Sequence, residues 1–512
     1  MNPVELSLFA SRISAVCEEM GAVLRRAALS PNIKDRLDFS CAVFDEQGRL
    51  CAQAAHIPVH LGSMAYAMGG IVRRCHWAPG DMVIVNDPYL GGTHLPDVTL
   101  VAPFFVGGEL LGFVVNRAHH ADIGAAAPGS MPLSRSLDEE GMVIPPTHLL
   151  RHGRMEEGWF EHLLGALRNP AQARGDFAAQ ISANRAGLRR LQEWVAGLGP
   201  GAYRRALSAV NDYGERLARA ALRDIPDGRY TFRDVLDDDG AGHTDLPIVV
   251  TVTAGDGAIG VDFSGTADQA AGNVNCPLSV AAAAVYYVFR CLMPAHTPAC
   301  AGSFRPIALR APAGCLLNAR PPAAVAAGNV ETSTRVVDAV LGALAQAIPA
   351  RIPAASHGSM NNVAMGGLEW DYYETLGGGM GAGLLGGGLH AVQTHMTNTL
   401  NTPVESLEMH YPLRVRAYAV RRGSGGRGRC PGGDGLIREY EFLEETRVTL
   451  LTERRRHTPW GLQGGEAGAP GRNLLQGQSL PPKVHITAEA GQRLTVETPG
   501  GGAWGKATMP TP

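Results

Sequence analysis

The pattern of apolar and polar residues changes its period along this chain. At the start, apolar side chains recur every three or four positions, which predicts a helix with one buried face. Asn2 is suited to cap this helix, Pro3 to occupy its first position, and Glu5 to complete a capping box. The predicted buried face of this helix comprises Leu6, Phe9, Ile13, Val16, Met20, Val23 and Leu24.

After Pro31 the apolar runs become short, which predicts strands at 39–44 and 49–53.

Two β-rich runs then flank a pair of glycines. The runs are Val98–Phe105 and Leu110–Val115, and Gly107-Gly108 between them is typical of a tight hairpin turn. With these glycines as the two turn residues, position 96 lies opposite His119. The hairpin therefore predicts that His94, Asp97 and His119 converge at its open end, because facing residues on antiparallel strands lie about 5 Å apart.

Two imidazoles and one carboxylate are a common donor set for a divalent metal with open positions, such as zinc, manganese or iron. The alternative is a loop in which Asp97 only caps a turn. His119 and His120 face opposite sides of a strand, so only one of them meets His94, and the alternation favours His119. A fully extended chain would turn Asp97 away from His94, but Pro96 predicts a local turn there.

The next part of the chain predicts a helix from about Ser63 to Cys75, flanked by His56 and His60. We interpret both histidines as hydrogen-bonded structural residues rather than ligands. Residues 156–223 are predicted to be helical, with breaks near Asn169-Pro170 and at 197–201. On one face of this segment lie Asp176, Gln180 and Asn184, which we interpret as a solvated face; the alternative is a face turned towards a pocket or a partner protein.

Strands are predicted again at 229–236, 246–252 and 259–263, and the last hundred residues are predicted to be β-rich. His243 and Asp245 are interpreted as part of a turn. Segments 262–277 and 327–335 are rich in small and amide side chains, which suit a polar ligand and tight turns equally. The predicted fold is α+β, with mixed and antiparallel sheets, a helical segment in the middle and intertwined subdomains. Its parts are expected at 1–155, 156–225, 226–420 and 421–512.

Composition narrows the class of protein. The chain has 512 residues, of which 45% are hydrophobic and 18% charged, typical of a globular protein. A net charge of −3 gives no basic footprint for nucleic acid. The nine cysteines include no CxxC pair, which indicates reduced thiols. No apolar run approaches the ~20 residues of a membrane span, so we expect a cytoplasmic protein.

Glycine is abundant, at 64 residues, which predicts many turns with positive φ and backbone lining a cavity. Two glycine-rich stretches resemble phosphate loops. Gly377–Gly388 lacks the terminal Gly-Lys-Ser/Thr, and Gly500–Lys506 lacks the Ser/Thr and a following helix. The sequence therefore predicts no nucleotide site in this chain.

Several long segments together resemble the hydantoinase B/5-oxoprolinase family, which includes the large subunits of acetone and acetophenone carboxylases. The resemblance runs nearly end to end. It is carried by NDPYLGGTHLPD at 86–97, NRAHHADIG at 116–124, KDRLDFSCAVFD at 34–45, PVHLGSM at 58–64, DEEGMVIPP at 138–146, VDFSGTADQAAGNVNCP at 261–277, AAGNVETSTRVVDAVLGAL at 326–344, HMTNTLNTPVESLEMHYPLRV at 395–415 and TPGGGAWG at 498–505.

The resemblance implies a set of site residues. The family's metal-binding spacing falls on His94, Asp97 and His119, with Asp38 as a fourth ligand. By position alone, His120 and Asp122 are the candidates for a catalytic base. The loops at 124–132 and 263–277 supply the candidates for substrate binding, which are Ser130, Asn273 and Asn275.

The resemblance also implies a function. The chain would be the metal-bearing subunit of an ATP-dependent cyclic-amide hydrolase that opens hydantoin, 5-oxoproline or related lactam rings. Its partner in a hetero-oligomer would be a hydantoinase A-like ATPase that phosphorylates the amide carbonyl. One alternative is a subunit of an ATP-dependent ketone carboxylase. A second is a non-catalytic scaffold subunit.

Overall fold

The computed structural model describes residues 1–54 and 57–507, without the side chain of Leu61. His56 lies outside the described residues. The described helices are α1 (Pro3–Ala27), α2 (Pro31–Lys34), α3 (Pro58–Arg74), α4 (Glu157–Gly165), α5 (Pro170–Leu198), α6 (Pro200–Leu222), α7 (Leu278–Leu292), α8 (Ala301–Phe304), α9 (Ser333–Leu344) and α10 (Val404–His410).

Helix α1 forms as the sequence predicts. The Asn2 side chain accepts a hydrogen bond from the Glu5 backbone N–H, and the Glu5 carboxylate accepts one from the Asn2 N–H, both at 2.9 Å. This reciprocal capping satisfies two backbone donors that a helix start otherwise leaves unpaired. The predicted breaks near 169–170 and 197–201 are also confirmed, because α4, α5 and α6 are separated there.

A seven-stranded antiparallel sheet carries the predicted hairpin near its centre. Its order is β2-β1-β5-β4-β3-β6-β7. The hairpin pair, β4 and β5, lies between β1 and β3, so its backbone is bonded on both sides. The strands are β1 (Phe39–Asp45), β2 (Leu50–Gln53), β3 (Met82–Val85), β4 (Asp97–Val106), β5 (Glu109–His119), β6 (Thr147–Arg151) and β7 (Arg154–Met155).

Both faces of this sheet are covered by helices. Val98, Leu100 and Val114 belong to the core beneath α1 and α5. Val101 and Val115 belong to a separate core beneath α3. We call these two faces of the sheet the α5 side and the α3 side. Since successive strand residues alternate between the faces, each side chain of the hairpin lies on one side or the other.

The second half of the chain forms three further sheets. One has the order β11-β10-β9-β8 and packs against α9; its β10–β11 pair is parallel. The others, β13-β12-β16-β19 and β14-β15-β20-β17-β18, interleave along the chain, so strands from both sides of position 420 share a sheet. The strands are β8 (Gly228–Asp238), β9 (Thr244–Gly255), β10 (Ala258–Asp262), β11 (Ile307–Arg310), β12 (Asn362–Gly366), β13 (Asp371–Glu374), β14 (Leu413–Arg421), β15 (Gly435–Phe442), β16 (Thr446–Leu451), β17 (Arg472–Leu475), β18 (Gln478–Leu480), β19 (Lys483–Ala488) and β20 (Arg493–Glu497).

The predicted α+β class with intertwined parts is confirmed. The segment at 327–335, expected to be loop-rich, is instead helical: a π-helical turn at Gly328–Thr332 leads directly into α9. None of the described helices is both long and apolar enough to cross a membrane.

The glycine-rich stretch 377–388 serves backbone packing. Many glycines elsewhere in the chain have a positive φ, as the composition predicts, but none of the eight glycines in this stretch does. A Cβ at Gly381 would lie 1.8 Å from the carbonyl oxygen of Ala354, and one at Gly379 would lie 2.0 Å from that of Gly433. Neighbouring backbones therefore approach more closely than any side chain permits, and glycine is required for that reason.

Candidate metal centre

The register of the β4–β5 hairpin decides which residues meet at its open end. Gly107 and Gly108 form the turn as predicted, and Val106 pairs with Glu109. The register then shifts by one residue, and Asp97, not Pro96, pairs directly with His119. The reason is an irregularity between Phe104 and Phe105, where β5 contributes one extra residue, Leu111. This shift places Asp97 and His119 on the same face of the sheet, the α3 side.

His94 reaches the same point through a turn before β4. The Asp97 backbone N–H donates to the His94 carbonyl oxygen at 3.1 Å, which folds the His-x-x-Asp segment back on itself. The turn predicted at Pro96 is thereby confirmed. His94, Asp97 and His119 are the group of described residues whose donor atoms could hold a metal ion.

The three donor atoms form a nearly equilateral triangle. His94 Nε2 lies 3.2 Å from Asp97 Oδ1 and 3.2 Å from His119 Nδ1, and His119 Nδ1 lies 3.2 Å from the same carboxylate oxygen. Ligands that each lie about 2.0–2.1 Å from one ion, at adjacent coordination positions, are separated by about this distance. All three residues are at most 2% exposed.

The second carboxylate oxygen of Asp97 is held by three other residues. His60 Nε2 lies 3.2 Å from Oδ2, Thr93 Oγ1 donates to it at 2.5 Å, and Asn329 Nδ2 donates to it at 3.2 Å. These contacts occupy Oδ2 and leave Oδ1 directed at the two imidazoles. Such fixing of a carboxylate is the usual role of the residues surrounding a metal ligand.

The two imidazoles are oriented in different ways. His94 Nδ1 lies 3.2 Å from the Ala326 carbonyl oxygen, an acceptor only, so Nδ1 carries the hydrogen and Nε2 presents its lone pair to the triangle. The ring of His119 stacks on Tyr373, with centroids 5.0 Å apart and an angle of 12°. His119 Nε2 is buried without a hydrogen-bond partner among the described residues.

Burial and the neighbouring charges shift the pKa values of all three groups of the triangle. Burial opposes charge on His94, but Asp97 outweighs this and raises the pKa of His94. Burial lowers the pKa of His119 despite the same carboxylate. Burial also opposes ionisation of Asp97, yet His94 and His60 hold the pKa of that carboxyl well below its usual range. The cluster therefore favours an ionised Asp97 carboxylate, the donor that a divalent cation prefers.

The donors line a cavity of about 20 Å³, which has room for roughly one water molecule or one ion. Asp38 also lines this cavity, and its backbone carbonyl accepts a hydrogen bond from the His119 N–H at 3.0 Å. The two imidazole nitrogens and the carboxylate oxygen, at this spacing, fit a divalent cation.

Comparison with known proteins identifies the family. A family model described as hydantoinase B/oxoprolinase matches residues 2–507. The chain belongs to the hydantoinase B/oxoprolinase family. It is 38% identical to 5-oxoprolinase 1 of Arabidopsis thaliana over 98% of this chain and 42% of that protein. It is 32% identical to a protein from Pseudomonas sp. (strain NS671) whose name describes one subunit of a D-/L-hydantoinase, over 99% of this chain and 90% of that one.

Solved structures share the fold of this hydantoinase B/oxoprolinase chain. The ATP-dependent caprolactamase from Pseudomonas jessenii aligns with a TM-score of 0.93 and 27% identity, covering 99% of this chain and 91% of that chain. Nucleotide-free acetone carboxylase aligns with a TM-score of 0.89 at 18% identity, covering 98% and 76%. At this level of identity, the similarity to acetone carboxylase shows only that the two chains share a fold.

Within this family member, the two residues predicted as a base lie away from the triangle. His120 follows His119 and faces the α5 side, where its Nε2 lies 3.0 Å from Gln180 Oε1. Asp122 accepts hydrogen bonds from the Gly124 and Arg168 N–H groups, both at 2.8 Å, and so fixes the loop after β5. Neither residue lines the 20 Å³ cavity. His120 follows His119 directly and so faces the opposite side of the sheet, and Asp122 lies in the loop after β5.

The residues predicted to bind substrate also lie outside that cavity. The Ser130 hydroxyl donates to Asp122 and accepts from the Ile123 N–H, so it holds the same loop as Asp122. Asn275 bonds the backbone of Ala270, Gly272 and Ala324.

Asn273 donates to the Pro132 carbonyl at 2.6 Å, while its Oδ1 is buried without a partner among the described residues. These amides satisfy loop backbone, which corresponds to the tight-turn interpretation of segment 262–277.

Three residues that surround the triangle were not predicted as parts of the site. The sequence interpretation of His60 as a hydrogen-bonded residue is confirmed, and its partners are Ser40 and Asp97 itself. Asn329 lies in a segment whose amides suited either a ligand or a turn, and it contacts Asp97. Tyr373 lies on β13, far along the chain, and no local pattern indicates that it stacks on His119.

Proposed function

We propose that this chain is the metal-bearing, hydrolytic part of an ATP-dependent cyclic-amide hydrolase in a cytoplasmic hetero-oligomer. The observation that carries the proposal is the buried triangle of His94, Asp97 and His119, whose donors match an open divalent site. The names of the relatives support the substrate class, since they include a 5-oxoprolinase, a hydantoinase component and a caprolactamase. The substrate would be a hydantoin, 5-oxoproline or a related lactam.

Amide resonance makes a lactam carbonyl a poor electrophile, which accounts for the need for ATP. We propose that a hydantoinase A-like ATPase phosphorylates the carbonyl oxygen, which makes the carbonyl carbon electrophilic. Addition of water and cleavage of the C–N bond would release the ring nitrogen as an amine and leave an acyl phosphate. A second water would hydrolyse the acyl phosphate to the acid and free phosphate. The ATPase would be a separate polypeptide, as the name of the Pseudomonas hydantoinase relative suggests, or part of a longer chain. The second arrangement is consistent with Arabidopsis 5-oxoprolinase 1, of which this chain spans 42%.

His94, Asp97 and His119 would hold the metal, with Asp38 as a fourth ligand from the cavity wall. A bound zinc, manganese or iron ion supplies a water of lowered pKa for attack on the activated carbonyl. The surrounding residues fix the donors beforehand: His60, Thr93 and Asn329 restrain one carboxylate oxygen of Asp97. His94 presents Nε2 because its Nδ1 is bonded to Ala326.

The test uses the chain assembled with its ATPase partner and a lactam or hydantoin. We expect phosphate release in step with formation of the ring-opened acid, with no requirement for bicarbonate. His94→Ala should abolish ring opening, whereas His148→Ala, a change outside the cluster, should not. Ring opening that survives in His94→Ala after loss of its metal would favour a scaffold role and contradict the proposal.

Ketone carboxylation is the second candidate, because acetone carboxylase has the same fold. It predicts that phosphate release requires bicarbonate and that labelled carbon enters the product. Ring opening is favoured because this chain covers 91% of the caprolactamase chain but only 76% of the acetone carboxylase chain. Incorporation of labelled bicarbonate would reverse this choice.

A further inference from the structure

A second chamber lies on the α5 side of β5, facing away from the triangle. Its volume of about 310 Å³ is within the range of small-molecule sites. His120 and Asp176 line it, and each is only 1% exposed. Lys34, Trp370 and Tyr411 contribute to its rim and wall.

Gln180 fixes which nitrogen of His120 carries the hydrogen. Gln180 Nε2 donates to the Val98 carbonyl oxygen at 2.9 Å, and a carbonyl can only accept, so the orientation of the amide is determined. Gln180 Oε1 must therefore accept from His120 Nε2, which lies 3.0 Å away. In the neutral ring His120 Nδ1 is then an acceptor. It has no hydrogen-bond partner among the described residues, and the ring lines the chamber.

Asp176 contributes a second acceptor. Its Oδ1 accepts from the backbone N–H groups of Leu29 at 2.7 Å and Ser30 at 3.1 Å. Both contacts use the same oxygen, and no described residue donates to Oδ2. The two most deeply buried polar groups of the chamber thus present an imidazole lone pair and a carboxylate oxygen. Two acceptors, one of them a carboxylate, suit a ligand that donates hydrogen bonds and carries a positive charge.

The chamber wall suits the same ligand. The rings of Trp370 and Tyr411 lie 5.6 Å apart in a tilted pair, and such aromatic faces attract cations. The nearby cation Arg168 is already engaged, because its Nη1 donates to Asp371 at 2.6 Å and its Nη2 donates to Ala125 and Ala126 carbonyls. Lys34 is exposed at the rim, where it suits a carboxylate at the far end of the ligand.

We propose that this chamber binds a small organic ammonium ion through His120 Nδ1 and Asp176 Oδ2, with the aromatic pair against its carbon chain. Opening a lactam ring yields an amine and a carboxylate on one molecule, so the product of the proposed reaction has this chemistry. A free amine, once protonated, has the same positively charged hydrogen-bond donor. The chamber is separate from the metal centre, and ligand binding there requires no metal.

The test is calorimetric titration of the full chain with 6-aminohexanoate, hexylammonium and hexanoate. Both ammonium compounds should bind saturably and hexanoate should not. Tighter binding of 6-aminohexanoate than of hexylammonium would indicate a product-like amino acid, and the reverse a free amine. Binding should be unchanged in His94→Ala, which separates this site from the proposed function.

Asp176→Asn is the decisive variant, because its carbonyl oxygen still accepts from Leu29 and Ser30 while the charge is lost. We expect it to weaken ammonium binding by about tenfold or more, as for loss of a hydrogen bond to a charged group. Asp256→Asn, on the exposed turn between β9 and β10, is the matched control and should bind like the parent chain. Equal affinity in Asp176→Asn, binding of hexanoate alone, or no saturable binding of any compound would overturn the proposal.

Discussion

His119 and His120 are consecutive residues, yet they lie in two different environments. His119 faces the α3 side, pairs with Asp97 and lines a cavity of about 20 Å³. His120 faces the α5 side, bonds Gln180 and lines a much larger chamber of about 310 Å³. Each ring is stacked on an aromatic side chain, Tyr373 for His119 and Phe177 for His120. The motif His-His therefore supplies one candidate ligand and one residue for a separate site.

The irregularity between Phe104 and Phe105 makes this division possible. Without the extra residue in β5, Pro96 would lie opposite His119, and Asp97 would share its face with His120 instead. The extra residue, Leu111, thus determines which histidine meets the carboxylate. Changes on the two sides of β5 should consequently have different effects, which can be measured separately.

The largest expected difference concerns metal content. Purified chain should contain about one divalent ion, and His94→Ala or His119→Ala should lose it, because either change leaves only two of the three buried donors. His120→Ala should keep it. Elemental analysis measures all three variants. Unchanged metal content in both His94→Ala and His119→Ala would contradict the assignment.

A smaller effect is expected from His60, which contacts Asp97 rather than the triangle itself. His60→Ala should weaken metal binding by about 10–100-fold, the usual effect of removing a group that orients a metal ligand. Competition with a chelator measures this affinity. His60→Gln, which keeps a donor, should recover part of it. If His60→Ala lost the metal completely while folding normally, His60 would be a ligand.

Much of the candidate site could be predicted from the sequence. The Gly107-Gly108 turn and the flanking apolar runs are local signals, and they bring His94, Asp97 and His119 together. The irregularity between Phe104 and Phe105 could not be predicted, because such a shift depends on how β5 pairs with β1 as well as β4. Nor does any local pattern relate Tyr373 to His119 or Asn329 to Asp97.

The row of Asp176, Gln180 and Asn184 shows a second limit. Helical spacing correctly places the three on one face of α5, but our interpretation of a solvated face is wrong, because all three are at most 1% exposed. Gln180 and Asn184 bond Asn116 on β5, and Asp176 bonds the chain at Leu29 and Ser30. Periodicity identifies a face of a helix but not what covers that face.

The glycine-rich stretch at 377–388 shows the same limit. Its composition is visible in the sequence, but the neighbouring backbones that require glycine there could not be identified.

Gln180→Leu should affect stability and leave the metal in place. The change removes the partner of His120 Nε2, Val98 O and Asn116 Oδ1, all of them buried. Leaving such groups unpaired should lower the free energy of unfolding by about 3 kcal/mol. Denaturant unfolding measures the loss, and Ser182→Ala on the exposed face of α5 is the control. Loss of metal in Gln180→Leu would show that the two sides of β5 are coupled.

The smallest expected effect separates the ring of Tyr373 from its hydroxyl. Tyr373 O–H donates to Asn362 Oδ1 at 2.7 Å, while the ring itself stacks on His119. Tyr373→Phe keeps the stacking and should leave metal affinity unchanged, but it should lower the free energy of unfolding by about 1 kcal/mol, because Asn362 Oδ1 loses its donor. Tyr373→Leu, which also removes the stacking, should weaken metal binding as well. Metal titration and denaturant unfolding of both variants distinguish the two contributions. If Tyr373→Phe weakened metal binding as much as Tyr373→Leu did, the hydroxyl rather than the ring would be what holds His119 in place.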